Sequence, residues 1–237
     1  MQDNTVPYKD SATSRRTTKC SVGMSVLMMV GFCVCGTTGT MGGNGQGGYQ
    51  IILPESDTSS IHLSPRLGPE LGEQEAVRLI HSVLGEYYTG LRDEEEERLA
   101  RFIYQEGNKQ GLDPFLLVAV IRVESTFDNF SESYMGAKGL MQILPSVGRS
   151  MAEEAEVEWE GDRTLFNPRK NIRIGASYLK KLVQQFNDIH LALAAYNLGP
   201  TALKNHIRSG RRVSSLYTER VMLFYEDLQK RTRKGTV

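Results

Sequence analysis

The sequence has 237 residues, of which 40% are hydrophobic and 24% charged, a balance that suits one globular domain plus extra segments rather than two full domains. The charges of its 28 basic and 28 acidic residues cancel, so no net positive charge favours nucleic acid as a partner. All three cysteines lie before residue 36, which excludes a disulfide framework or a thiolate metal site in the rest of the chain. The four histidines are scattered without ligand spacing, and we expect no metal site.

Residues 1–36 are predicted to be an export signal or an anchor. Residues 22–35 carry no charge and follow a basic start. Their length fits the apolar core of a secretory signal better than a membrane span, which needs about 20 apolar residues. Cleavage, retention as an anchor, and lipidation on Cys33 or Cys35 all stay open. The segment therefore predicts an exported protein, with membrane attachment as an open alternative.

Residues 37–72 are predicted to be a flexible linker. Their first part is rich in glycine, which loses the most entropy on ordering and brings little side chain to compensate. Pro54, Pro65 and Pro69 interrupt any long element in the second part. The expected picture is an exported domain on a tether.

Residues 73–230 are predicted to form a mainly α-helical domain, followed by a basic tail at residues 231–237. Apolar residues recur at three- and four-residue spacings, and strand-like alternation is nearly absent. The stripes consist of Ala76, Leu79, Ile80, Val83 and Leu84, then Ile174, Tyr178, Leu182 and Phe186, then Val221, Phe224, Tyr225 and Leu228. The acidic run at residues 93–97 fits the first turn of a helix, where negative charge meets the positive end of the helix dipole.

Residues 113–125 predict a core helix that ends in a carboxylate. Asp113 is a good N-cap, Pro114 is a good first residue, and the following residues are apolar on every side. Glu124 would feel the negative end of the helix dipole and lose part of its hydration, and both effects raise the pKa of a carboxyl group. A carboxylic acid that keeps its proton near neutral pH can act as the general acid in glycosidic cleavage. The helix alone leaves two alternatives to a catalytic role open. Glu124 lies at the edge of the helix end without a function, or it pairs with Arg122.

A glycine-containing loop follows at residues 133–145. Gly136 and Gly139 permit tight turns and close approach of the backbone to a ligand. Gln142 offers both a donor and an acceptor, which suits sugar hydroxyls and acetamido groups. Farther along, residues 151–163 are acidic and predict a surface loop, in which Trp159 either stacks on a sugar or packs against the domain.

Sequence blocks in fixed order resemble the soluble-lytic-transglycosylase family, whose catalytic domain is lysozyme-like. They are Glu124-Ser125-x-Phe127, Ser133-x-x-Gly136-Ala137-x-Gly139-Leu140-Met141-Gln142-Ile143-x-Pro145, Asn171-Ile172-x-x-Gly175-x-x-Tyr178-Leu179, Ala194-Ala195-Tyr196-Asn197-x-Gly199-Pro200 and Tyr217-x-x-x-Val221. The resemblance covers about residues 105–225 and implies a lysozyme-like α-helical domain.

The resemblance also implies roles for single residues. Glu124 matches the single catalytic glutamate of the family, Ser133 a serine close to that carboxylate, and Tyr217 a tyrosine that helps to orient it. The other residues expected to bind substrate are Ser125, Gly139, Met141, Gln142, Tyr196 and Asn197.

The activity that the resemblance implies is non-hydrolytic cleavage of the β-1,4 bond between N-acetylmuramic acid and N-acetylglucosamine, which leaves 1,6-anhydromuramoyl ends. Peptidoglycan glycan strands are the expected partner, and no metal or organic cofactor is needed. Together with the predicted export signal, this implies a periplasmic location in the cell envelope. A hydrolase that resembles goose-type lysozyme and a non-catalytic peptidoglycan-binding protein are the alternatives. Glu124, Tyr196 and Asn197 are all present, which favours an enzyme.

Overall fold

Eight α-helices and one short 3-10 helix form the regular structure of residues 71–234, the part of the chain that this computed structural model describes. They are α1 (Glu73–Gly85), α2 (Asp93–Gln110), α3 (Pro114–Ser125), α4 (Pro145–Met151), the 3-10 helix (Asp162–Phe166), α5 (Pro168–Phe186), α6 (Ile189–Leu198), α7 (Pro200–Arg208) and α8 (Leu216–Lys234). In this part of the chain β pairing is limited to two isolated bridges. The expected mainly α-helical class is confirmed, while the predicted export segment and the linker up to residue 70 lie outside the described residues.

The first two helices follow the sequence pattern directly. The apolar stripe of α1 is buried except for Leu79, which is partly buried, and the helix packs against α2. The acidic run occupies the first turn of α2, where Glu95 accepts a hydrogen bond from the backbone N–H of Arg92 at 3.0 Å. Gly111 ends α2 in the left-handed conformation, with a φ of 71°, which glycine adopts without steric cost.

Helix α3 runs through the centre of the hydrophobic core. Asp113 caps it as predicted, since its Oδ1 accepts the N–H of Phe115 at 2.8 Å. Its apolar side chains are buried on all sides and contact α2 and α8. Thr126 ends the helix in the left-handed conformation, so the chain turns directly after Glu124 and Ser125.

Helix α8 lies along α3 and is fixed to the start of that helix by the same capping residue. The hydroxyl of Tyr225 donates to Asp113 Oδ2 at 2.6 Å, and Gln229 Nε2 donates to the same oxygen at 3.2 Å. Asp113 therefore caps α3 with one carboxylate oxygen and holds α8 with the other. Helix α8 continues to Lys234, so the first residues of the predicted basic tail are helical.

The acidic segment after α4 lies at the surface, with Glu153 and Glu154 exposed. Trp159 is partly buried against the core, and a Cβ at Gly148 would lie 2.7 Å from its ring. This contact favours the packing role over sugar stacking for Trp159. Within residues 71–234, no helix combines the length and apolarity needed to cross a membrane.

Candidate active site

Glu124 is the penultimate residue of α3 and is only 9% exposed. The hydroxyl of Tyr217, on α8, donates to Glu124 Oε1 at 2.6 Å. Burial raises the pKa of Glu124 to about 7, although the hydrogen bond from Tyr217 and the positive charge of Arg220 both lower it. The cost of dehydrating the charged form therefore dominates, and the carboxyl group holds its proton close to neutral pH.

Arg122, the alternative partner considered for Glu124, is engaged elsewhere. Its guanidinium carbon lies 4.8 Å from the ring centroid of Tyr87 and 5.8 Å from that of Phe224. Its Nη1 donates weakly to Thr126 Oγ1 at 3.4 Å. Among the described residues no ion pair joins Arg122 to Glu124, which leaves burial as the main influence on the carboxyl group.

Tyr196, on α6, belongs to the same cluster as Glu124 and Tyr217. Burial raises the pKa of Tyr196 well above its ordinary value, and the negative charge of Glu124 raises it further. The Tyr196 hydroxyl donates to the backbone carbonyl of Met141 at 2.9 Å, and its ring lies 5.5 Å from that of Tyr178. Three predicted site residues, from α3, α6 and α8, thus meet at one place in the fold.

Ser133, Gln142 and Asn197 are partly exposed, as substrate contacts would require. The Ser133 Oγ accepts the N–H of Ala137 at 3.0 Å, so its own proton is left to donate. Gln142 Nε2 donates to the carbonyls of Ser131 and Gly139, each at 3.0 Å, which leaves its side-chain oxygen for a ligand. Within residues 71–234, none of these three side chains hydrogen-bonds to Glu124.

Ser125, Gly139 and Met141 are buried, and their expected role in substrate binding stays a prediction. Ser125 is 7% exposed, and its hydroxyl donates to a carbonyl of its own helix at 3.2 Å. The close backbone approach at Gly139 is to the protein itself, because a Cβ there would lie 2.2 Å from the carbonyl oxygen of Leu165. Met141 is fully buried, and its sulfur would lie 2.5 Å from a Cβ at Gly175.

Asn171 holds this buried layer together, although sequence reasoning gave it no role. It has no exposed surface, and its Oδ1 accepts the N–H of Met141 at 2.8 Å. Its Nδ2 donates to the carbonyls of Lys138 and Leu165, each at 2.9 Å. The available signal was a polar residue at the start of an apolar helical stripe, inside one of the matched blocks. Buried amides of this kind are retained where they satisfy several backbone groups at once.

One group of possible metal ligands lies on α1 and α2, which contribute none of the predicted site residues. Ligand atoms of His81, Asp93 and Glu96 lie within 4.8 Å of one another. His81 Nε2 is 3.3 Å from Asp93 Oδ1, and Glu96 accepts the hydroxyl of Thr89 at 2.5 Å. These contacts account for the arrangement without an ion.

Residues 101–216 match the sequence model of the family described as the transglycosylase SLT domain. The chain contains an SLT domain. The chain is 38% identical over 127 residues to membrane-bound lytic murein transglycosylase F of Desulfosudis oleivorans, a match that covers 49% of this chain and 25% of the relative. It is 40% identical over 85 residues to soluble lytic murein transglycosylase of Salmonella typhimurium, which covers 35% of this chain and 13% of the relative. The chain thus spans a quarter or less of the length of these two curated relatives.

The fold of the chain is similar to that of an inactive mutant of lytic transglycosylase Slt from Pseudomonas aeruginosa. The TM-score is 0.51 at 24% sequence identity, over 68% of this chain and 30% of that chain. The 70 kDa soluble lytic transglycosylase of Escherichia coli gives a TM-score of 0.50 at 21% identity, over 69% of this chain and 31% of that one. These similarities confirm the expected lysozyme-like helical fold.

Proposed function

We propose that the SLT domain is a peptidoglycan lytic transglycosylase that cleaves the β-1,4 bond between N-acetylmuramic acid and N-acetylglucosamine. The observation that carries this proposal is the buried carboxyl group of Glu124, whose pKa is raised to about 7 and whose Oε1 accepts the Tyr217 hydroxyl. A carboxyl group with a pKa near 7 can both give and take a proton at neutral pH. The names of the relatives, lytic murein transglycosylases, support the same reaction class.

In the proposed reaction, protonated Glu124 gives its proton to the glycosidic oxygen as the bond to the anomeric carbon breaks. The acetamido group of the muramic acid stabilises the positive charge that develops at that carbon. Ionised Glu124 then removes the proton of the 6-hydroxyl of the same sugar, and the hydroxyl oxygen bonds to the anomeric carbon. The glutamate regains its proton, no water is consumed, and the product carries a 1,6-anhydro ring.

Electrostatics around Glu124 support a mechanism with one protein carboxylate. Most glycosidases place two carboxylates about the scissile bond. Within residues 71–234, the side chains that shift the pKa of Glu124, besides burial, are Tyr217 and Arg220, and neither carries a carboxylate. The substrate acetamido group takes the place of the second carboxylate in the proposed reaction.

The location that we propose is the cell envelope, with glycan strands as the partner. Some relatives are named membrane-bound and others soluble lytic murein transglycosylases, and both kinds of name support a murein substrate. Export through residues 1–36, with or without membrane attachment, is part of this proposal.

Mass spectrometry of the products from purified peptidoglycan tests the function. The full chain should release fragments with 1,6-anhydromuramoyl ends, and Glu124→Gln should release none while it still binds glycan. Glu153→Gln, which changes an exposed glutamate, is the matched control and should cleave like the unmodified chain. Reducing muramic ends would instead establish the hydrolase, and binding without any product would establish the non-catalytic alternative.

A further inference from the structure

Lys138 is a buried lysine on the loop that carries Ser133. Its side chain is 11% exposed and forms an ion pair with Glu132, which is 50% exposed. The Lys138 Nζ also lies 5.6 Å from the ring centroid of Phe166. Lysine is rarely buried unless it is paired, because its ammonium group loses hydration. The ion pair and the aromatic ring compensate for this loss.

The backbone of Lys138 is fixed on the domain. Its N–H donates to the carbonyl of Ile143 at 3.0 Å, and its carbonyl accepts the N–H of Ile143 at 3.1 Å. The same carbonyl accepts a hydrogen bond from Asn171 Nδ2 at 2.9 Å. These contacts close the short turn that carries Met141 and Gln142, so the lysine is a rigid anchor.

Glu132, the other residue of the ion pair, lies on a part of the loop that the domain holds less firmly than it holds Lys138. Glu132 directly precedes Ser133, and the next two residues, Tyr134 and Met135, are 102% and 57% exposed. Apolar packing therefore contributes little to the position of this turn. Two backbone hydrogen bonds cross its base, Ser133 N–H to the Ala137 carbonyl at 2.9 Å and Gly139 N–H to the Ser131 carbonyl at 2.9 Å.

We propose that the ion pair between Lys138 and Glu132 positions Ser133 for the reaction, an inference that rests on the proposed function. Glu132 and Lys138 are bridge partners on facing strands of chain, so the pair ties the Ser133 side of the turn to the anchored side. Ser133 Oγ already accepts the N–H of Ala137, which leaves its own proton to donate to another group. Lys138 acts through Ser133 and is a positioning residue.

Kinetics of Lys138→Met in the full chain test the proposal. Methionine keeps an unbranched chain against Phe166 but removes the charge. We expect kcat to fall by about tenfold to a hundredfold with little change in KM, since misplacement by about 1 Å costs this much. Lys138→Arg should restore most of the activity. Lys181→Met is the control, because Lys181 pairs with Glu154 at 2.6 Å on an exposed surface, and this variant should leave kcat unchanged.

A double-variant comparison separates positioning from general destabilisation. In a Ser133→Ala background, Lys138→Met should cause little further loss of kcat, because the residue through which it acts is gone. If the two losses multiply in full, or if Lys138→Met alone leaves kcat unchanged, the proposal is overturned. A fall in kcat that Lys138→Arg does not rescue would also overturn it.

Hydrogen exchange gives a readout that does not depend on activity. The amide of Ala137 should exchange faster in Lys138→Met and in Glu132→Gln than in the unmodified chain, because this amide donates to Ser133 Oγ. Unchanged exchange in both variants would refute the positioning of the turn. Faster exchange in a chain that releases no product at all would refute the proposed function instead, so the two failures are distinguishable.

Discussion

Burial of Glu124 should make the free energy of unfolding depend on pH, and Glu124→Gln should remove that dependence. The pKa of this carboxyl group is raised from its ordinary 4.5 to about 7 in the folded protein. The folded state therefore binds the proton more tightly than the unfolded chain does. The stability from this group is fully present below the unfolded pKa and is lost as the pH rises through the folded pKa.

The size of the effect follows from the gap between the two pKa values. One pKa unit corresponds to about 1.4 kcal/mol, so ionising the buried carboxyl group costs about 3 kcal/mol of stability at alkaline pH. Glutamine is neutral at every pH and nearly the same shape, and its carbonyl oxygen can still accept the Tyr217 hydroxyl. Glu124→Gln should match the unmodified chain near pH 4 and exceed its stability by about 3 kcal/mol near pH 8.

Urea unfolding, followed by circular dichroism across this pH range, measures the difference directly. Glu153→Gln provides the control, because Glu153 is exposed and its loss should leave the pH dependence unchanged. Parallel stability curves for the unmodified chain and Glu124→Gln would mean that Glu124 titrates as an ordinary surface glutamate. The argument for a general acid that is protonated near neutral pH would then fail.

Three further substitutions test the contacts of Glu124, Gly139 and Asp113. Tyr217→Phe removes the hydrogen bond that stabilises the ionised carboxylate, which raises the pKa of Glu124. The alkaline limb of the pH–rate profile should therefore move to higher pH while the maximal kcat falls, and an unmoved limb would contradict the contact. Gly139→Ala places a Cβ 2.2 Å from a backbone oxygen at a φ of +74°. Urea unfolding should show that the free energy of unfolding falls by about 3 kcal/mol or more, and a fall below about 1 kcal/mol would contradict the tight contact. Tyr225→Phe removes one hydrogen-bond donor from Asp113, and thermal unfolding should show a stability lower by about 1–3 kcal/mol with little change in kcat. An unchanged midpoint would show that Gln229 alone is enough to hold Asp113.

Local features of the fold could be predicted from the sequence because they depend on neighbouring residues. The apolar stripe at residues 76–84 became the buried face of α1, and Asp113 with Pro114 marked the start of α3. The direction of the pKa shift at Glu124 followed from its place at the end of an apolar helix, although its cause is burial.

Long-range contacts could not be predicted from local pattern. Tyr217 meets Glu124 across 93 residues of sequence, and only the family resemblance brought the two together in advance. Nothing in the sequence pattern indicated the ion pair of Lys138 with Glu132, because a lysine and a glutamate in a loop are ordinarily solvated. These contacts depend on how helices and turns pack, which spacing along the chain does not report.

A motif match locates a site but does not tell which of its residues touch the substrate. Ser125, Gly139 and Met141 fall in matched blocks as Ser133 and Gln142 do, yet the first three are buried. Each meets a packing requirement that a motif would preserve equally well, such as the space that Gly139 leaves for a neighbouring carbonyl. Glu124, the proposed general acid, is itself only 9% exposed, so burial alone does not exclude contact with glycan. Kinetics of Ser133 variants and the stability of Gly139→Ala separate the two roles, since the first should change kcat and the second the free energy of unfolding.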